Sequence, residues 1–444
     1  MTEEGTDLGL SGAGRTGGWL LVSGLSADGR RELYKFVDLR RGRLHEVSIG
    51  IDEQRANQLA FLRGHLTGDP PYGLDRVEDL LPYLLHPHSF LETASADLVV
   101  SFKQAPYLRI LSAADSHPTW SPGPSGDVTG TLSSTNCETA PDTVAFTSTD
   151  TADRLRRYDV PDQPLRTRLM TYSRATGSVE TRGTLPDFLI DTLHQLVHSP
   201  NGYFVGVDMN LSVLPGPDGV PGASAEGVDA AAYATGSFPR SGFFVADEHL
   251  EKTQVHTPSG ACAAHAEVDP DDPEVFYISC NNISKWRTQV VLHGPGTIER
   301  YRYRDGTVVR EASYSDHEFL RITSQRCFRR GGRRFIAVTG YPNKLYVLDA
   351  ETLELVDRIV LFEEEHREPP FVCEKNSSAP LYLAVSPDAR YVYMTGAAEL
   401  FVVDLEEHAV VDRVRFCAPG SFAATAHIGL VSDEAAARAL EGLR

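Results

Sequence analysis

Apolar residues in this chain come in short runs, rich in Val, Leu, Ile, Tyr and Phe and separated by Gly, Asp, Asn and Pro. That spacing predicts β-strands, and it holds from one end of the chain to the other. One phrase recurs. Leu345–Asp349 is an apolar run ending in Asp, followed by a polar turn and an alternating segment that runs to Val360. Leu400–Arg415 repeats it 55 residues further on (345 to 400). Weaker copies begin at Leu33, Leu169 and Ile298, and degenerate ones near Tyr107 and Phe243. Seven hairpins at intervals of roughly 45–75 residues predict an all-β chain folded as about seven blades of a β-propeller, each copy supplying the outer two strands of a blade. Inner pairs lie between them. Leu381–Thr395 turns at Ser386-Pro-Asp388, because Pro fixes φ and Asp bonds its own backbone. His198–Gly202 and Val268–Asp271 are further turns of this kind. Gly18–Ser23 has the apolar run needed to complete the blade begun after His427, which would close the ring and remove its open sheet edges.

Two stretches break the rhythm. Gln54–Leu85 is helix-like, with Leu59, Leu62 and Leu66 and then Leu80, Leu81 and Leu84; Leu211–Gly236 is rich in Pro, Gly and Ala. Both are predicted to be insertions capping one face of the disc. Leu185–Val197 reads as a short helix leading into a blade, Glu363–Glu368 as a solvated loop and Arg329–Arg334 as a hairpin turn. On this reading residues 1–15 are a flexible N-terminus and 16–444 a single propeller domain.

Composition narrows the setting. A length of 444 residues exceeds the roughly 250–300 that one ordinary core serves, which favours a repeated architecture. Lys+Arg 42 against Asp+Glu 61 leaves a net charge of −19. Such a surface repels phosphate backbones and anionic lipid, so nucleic acid is not an expected partner. The chain shows no apolar run long enough to span a membrane and no secretory start. Its six cysteines are far apart and read as free thiols, so the expected location is cytoplasmic.

The candidate chemistry is histidine. A propeller leaves a channel lined by the innermost strand of every blade, and side chains at the starts of those strands converge on the axis. His88, His198, His265, His317 and His427 stand at predicted starts. Neutral imidazoles on rigid strands suit a divalent metal ion, with their second nitrogens held by nearby carboxylates. Asp316, Glu318 and Glu267 are the sequence neighbours available for that role. The predicted ligands are His198, His265, His317 and His427, with His88 the alternative to His198. A channel histidine bonded to a backbone carbonyl is the plainer reading of any one of them. Either His194 or His198 is alternatively read as lying on one face of the short helix.

Ala264–Asp271 resembles the Ala-His-Pro-x-Val-Asp-Pro segment of the carotenoid cleavage oxygenases, and Asp316–Thr323 resembles their His-Asp-Phe-x-x-Thr segment. Leu400–His427 is similar to the stretch before their last ligand. The resemblance covers residues 260–430; the family's His-x-x-Asn-Ala-x-Glu segment is absent, with Val372–Asn376 in the nearest place. It implies a seven-bladed propeller holding Fe(II) on its axis through four histidines, and it carries ligand roles to His265, His317 and His427.

The expected function is therefore that of a small-molecule metalloenzyme with one metal in the channel, an Fe(II)-dependent oxygenase before others. A Mn- or Mg-dependent lyase on the same scaffold is the alternative chemistry, with a channel His or Tyr as base. A propeller that binds a protein partner on its flat face is the non-enzymatic alternative. No P-loop, Rossmann, Gly-x-Ser-x-Gly or His-Glu-x-x-His motif is present.

Overall fold

In the middle strands of this protein apolar side chains occupy both faces, because each sheet is sandwiched between two others. In Arg333–Gly340, Ile336 and Val338 pack toward one neighbouring sheet and Phe335 and Ala337 toward the other. The same division recurs in every sheet and produces seven apolar clusters, one between each adjacent pair. The structure, a computed structural model, describes residues 5–441 apart from 12–16, 67–74, 104, 113–118, 121–129, 133–135, 151–166, 186–193, 208–241, 260–261, 287–288, 293, 365–367, 370, 375–381, 397 and 419–420.

The result is a seven-bladed β-propeller of antiparallel, four-stranded blades. Blade 1 takes its inner strand, Phe422–Val431, from the end of the chain and its other three, Trp19–Ser26, Arg31–Asp38 and Arg43–Gly50, from the beginning. Leu20 sits opposite Leu430 and Val22 opposite Ile428, so the ring closes as the apolar run at Gly18–Ser23 predicts. The inner strands of blades 2 to 7 are Pro87–Glu92, Cys137–Ala140, Gln195–Ser199, Cys262–Val268, Gln325–Arg330 and Tyr382–Val385. Outer strands are exposed on their solvent side; Val309, Val356 and Val360 are among the few large apolar side chains in water. Thr6–Asp7 adds to the outer edge of blade 1, and Ser11 bonds Asp412 of blade 7, so part of the expected flexible arm is pinned to the rim.

The recurring Asp has a mechanical role. Asp404 accepts the backbone N–H groups of Glu406 and Glu407, Asp349 those of Glu351 and Thr352, and Asp38 those of Arg40 and Arg41. Each carboxylate thus fixes the turn between the third and fourth strands.

Insertions build up the face from which the inner strands start. Helices α1 (Asp52–His65) and α2 (Leu81–Leu84) occupy the first predicted insertion. Arg55 donates to the carbonyl of Gly29, in the turn after Ser26, and Ser26 lies opposite Phe422 at the start of the closing strand. The second predicted insertion, Leu211–Gly236, lies outside the described residues. A three-stranded sheet of Ile283–Trp286, Gln289–Leu292 and Phe371–Glu374 was not foreseen. Val372 therefore belongs to this accessory sheet and not to an inner strand. Helix α3 (Asp433–Glu441) packs Ala435, Ala436 and Ala439 into the cluster between blades 1 and 2.

Candidate metal centre in the propeller channel

Four histidines close a ring across the axis. The imidazole centroids of His88 and His194 are 4.9 Å apart, those of His194 and His265 4.9 Å, His265 and His427 5.0 Å, and His427 and His88 4.7 Å. His265 and His427 belong to blades 5 and 1, so this contact spans the channel, which is possible only when the side chains point inward. The rings are tilted or edge-on to one another, with interplanar angles of 78°, 73°, 64° and 59° in the same order. All four are buried, at 4%, 3%, 4% and 6% exposure for His88, His194, His265 and His427. His86 and Tyr382 flank the ring, 5.8 Å from His88 and 4.7 Å from His427 between centroids. At the ring the inner strand of blade 1 carries Gly429, where a β-carbon would stand 2.9 Å from the Phe90 ring of blade 2.

Burial decides the protonation state. Desolvation holds His88, His194 and His427 well below the ordinary imidazole range and brings His265 to about 3. The ammonium of Lys103 pushes all four in the same direction, and Arg326 adds to the effect on His265 and His427. The rings are therefore neutral at physiological pH, the state in which a ring nitrogen offers a lone pair. His194 has its tautomer fixed: Nδ1 lies 2.7 Å from the carbonyl of Ala264, which can only accept, so Nδ1 carries the proton and Nε2 is the donor atom.

Four imidazoles on one ion at about 2.1 Å place neighbouring centroids roughly 4.6–5.4 Å apart, between square and tetrahedral limits. The observed 4.7–5.0 Å falls within that span. His265 Nδ1 and His427 Nε2 are buried with no hydrogen-bond partner among the described residues, a costly state that a ligand would relieve. In their present rotation, however, no three His, Cys, Asp or Glu side chains among the described residues form a group that holds an ion. The centroid spacing and buried orphan nitrogens fit a metal, although the side chains as they stand do not gather three donors on one ion.

Of the predicted ligands, His265 and His427 are in the ring. His88 joins them, and so does His194. His198 lies at the far end of the blade 4 inner strand, beside the turn at Gly202, and its Nε2 contacts Glu248 at 3.2 Å. Residues 195–199 are strand and not helix, so the blade starts at His194, four residues earlier. His317 is exposed in the loop between blades 5 and 6, held there because Asp316 caps the N–H of Glu318 while Phe319, Leu320 and Ile322 are buried. The inner strand of blade 6 begins only at Gln325. Asp316 and Glu318 stay with that loop, bonded to Tyr314 and Arg358. Glu267 stands two residues along the strand from His265; it accepts the N–H of Cys327 of blade 6 at 2.7 Å, and burial raises it to about 7.

Beyond the ring the channel widens into a cavity of about 370 Å³, lined by His427, Asn136, Gln195 and Arg326 among others. Over the ring lies an apolar group of Leu292, Leu320 and Tyr341, with Ile283 and Tyr382 packed against it, which joins the accessory sheet to the histidine end.

Fold and site together define a class: a seven-bladed β-propeller with four buried histidines closed around its channel. No family model matches the chain, and no curated protein matches it. Among solved structures it is similar to a functionally unknown protein from Desulfotomaculum acetoxidans, at 11% identity over 94% of this chain and 99% of that one, with a TM-score of 0.47. It is also similar to apo AztD from Citrobacter koseri, at 11% identity over 91% of this chain and 83% of that one, with a TM-score of 0.43.

Proposed function

We propose that the ring of His88, His194, His265 and His427 is a mononuclear metal centre and that the protein is a metal-dependent small-molecule enzyme, an Fe(II) oxygenase before any other. The observation that carries this reading is the closed ring of four neutral, buried imidazoles drawn from four different blades. Such a set, with no carboxylate in it, suits iron and its later neighbours and is a poor match for Mg or Mn, which prefer oxygen. That choice of donors favours the oxygenase over the lyase. The partial likeness to carotenoid cleavage oxygenases at Ala264–Asp271 and around His427 points the same way, with His88 and His194 taking the places first given to His198 and His317.

Ferrous iron would supply the activation of dioxygen. The chain's own part is positional. Ala264 fixes the tautomer of His194, and the Phe90–Gly429 contact sets the approach of blades 1 and 2. The accessory sheet keeps bulk water from the histidine end, and the cavity on the other side receives the substrate. Cys137 and Cys327 are free thiols, the state that a reducing setting maintains. Among the described residues no helix is long and apolar enough to cross a membrane.

Elemental analysis of protein purified without oxygen tests the proposal. It should find about one iron per chain, removable by a ferrous chelator and restored by Fe(II). Protein that holds no stoichiometric transition metal after reconstitution would refute it.

A further inference from the structure

The inner strands also supply a layer that the histidines do not fill. Asn136 precedes the inner strand of blade 3, between the blades that carry His88 and His194, and Arg326 stands across the axis on blade 6. Both line the cavity of about 370 Å³ that opens beside His427. Among the described residues neither the amide oxygen nor the amide nitrogen of Asn136 has a hydrogen-bond partner, although both atoms are buried. Such a side chain is costly unless something enters to meet it.

Arg326 is only partly engaged. One Nη donates to the carbonyl of Gln325 at 2.7 Å, and the same atom stands 3.5 Å from Glu267, too long for a tight pair. Its side chain keeps 38% of its surface open. The remaining guanidinium edge has no partner among the described residues and presents parallel N–H donors, the fork that matches a carboxylate. The charge balance is unusual here. In a protein of net charge −19, two cations act here: Arg326 on the cavity wall, and Lys103, whose field reaches all four rings. Glu92, the acidic residue at the opposite end of the lining, already accepts the N–H of Ser432.

We infer that the channel takes a small carboxylate, gripped by the guanidinium of Arg326 with the amide of Asn136 as its second polar contact, so that its remaining end lies toward the histidine ring. The inference rests on the reading of the channel as a small-molecule site. It sets the substrate class apart from the apolar polyenes that the resemblance would suggest, because a hydrocarbon offers no acceptor to the Arg326 guanidinium on the cavity wall and no partner to the buried amide of Asn136.

Calorimetric titration of the purified full chain with acetate, succinate and benzoate, each paired with its neutral amide, reads this directly. At least one carboxylate should bind while its amide does not. Arg326→Gln should weaken that binding about tenfold or more, and Arg326→Lys should weaken it less. Because Arg326→Gln also leaves Glu267 without its neighbour, Asn136→Asp serves as an isosteric second variant; a carboxylate placed there should repel the ligand by a similar factor. Absence of binding by all three carboxylates, or equal binding of acid and amide, overturns the inference. So does affinity unchanged in both Arg326→Gln and Asn136→Asp. Metal content measured on the same samples separates the two readings: carboxylate binding without metal supports this inference while refuting the metal centre, and metal without carboxylate binding does the reverse.

Discussion

His198 and His317 provide the sharpest contrast with the four ring histidines, since both were predicted ligands on sequence grounds whereas His194, which is in the ring, was not. Substituting His265 or His194 by Ala should abolish metal retention and leave the far-ultraviolet circular dichroism unchanged, because the blades are held by their own apolar clusters. The His198→Ala and His317→Ala variants should retain metal at the wild-type level. Loss of metal in these two and not in the ring variants would contradict the assignment. The ring also predicts a pH dependence. An unfolded histidine titrates near 6.5, whereas His265 in the fold is held at about 3 and the others well below 6.5. Below 6.5 the unfolded chain therefore binds protons that the folded one refuses. Stability of the metal-free protein is complete above pH 6.5 and falls as pH drops toward 3, by at most about 1.4 kcal/mol per pH unit for each histidine. Denaturant unfolding between pH 7 and 5 should show this slope, reduced in His265→Ala. The sequence did hold a signal for the ring. His88, His194 and His427 each stand five residues before a turn or strand-end hydroxyl, at Thr93, Ser199 and Ser432, and His265 stands four before Asp269. Counting back from the turn finds His194 and passes over His198, and in blade 6 it lands near Gln325. Reading forward from the preceding loop misplaced both, because strand starts are set by cross-strand register, such as Gln195 against Val207, which local composition does not report.

At the scale of elements, blades must be joined face to face by something more specific than apolar area. Blades 1 and 2 use a buried ion pair. Arg109 donates to both oxygens of Glu32, at 2.9 and 2.8 Å, and the hydroxyl of Tyr34 adds a third bond at 2.7 Å. Arg109 is 4% exposed and Glu32 is fully buried. Replacing Glu32 by Gln leaves a buried guanidinium without its counter-charge and should cost about 3–5 kcal/mol. The double variant Glu32→Leu with Arg109→Met should recover much of that loss, since neither charge then remains to be desolvated. Equal destabilisation by the single and double variants in urea unfolding would show that shape, and not charge, joins these blades. The Asp-ended hairpins were legible in the sequence because the carboxylate does its work within three residues. The accessory sheet was not, because its strands come from segments about 80 residues apart (292 to 371) and pair only through the tertiary fold.

For the whole molecule, closure and metal binding should be linked. The strand that closes the ring, Phe422–Val431, also carries His427, and the other three histidines come from blades 2, 4 and 5. An ion shared by all four would bind only the closed propeller. Metal at a hundredfold excess over its dissociation constant should then add about 2.7 kcal/mol to stability, seen as a melting temperature a few degrees higher than that of chelated protein. A His427→Ala variant should show no such shift. Ring closure itself was readable from the apolar run at Gly18–Ser23. The diameter of the channel was not, because it depends on how seven blades pack and on Gly429 admitting Phe90. Anomalous diffraction at the iron edge from Fe(II)-loaded crystals reads whether one ion sits among these four imidazoles. A single peak should appear at about 2.0–2.2 Å from one ring nitrogen each of His88, His194, His265 and His427. An empty ring in Fe(II)-loaded crystals, or a peak beside His198 or His317 instead, would contradict it.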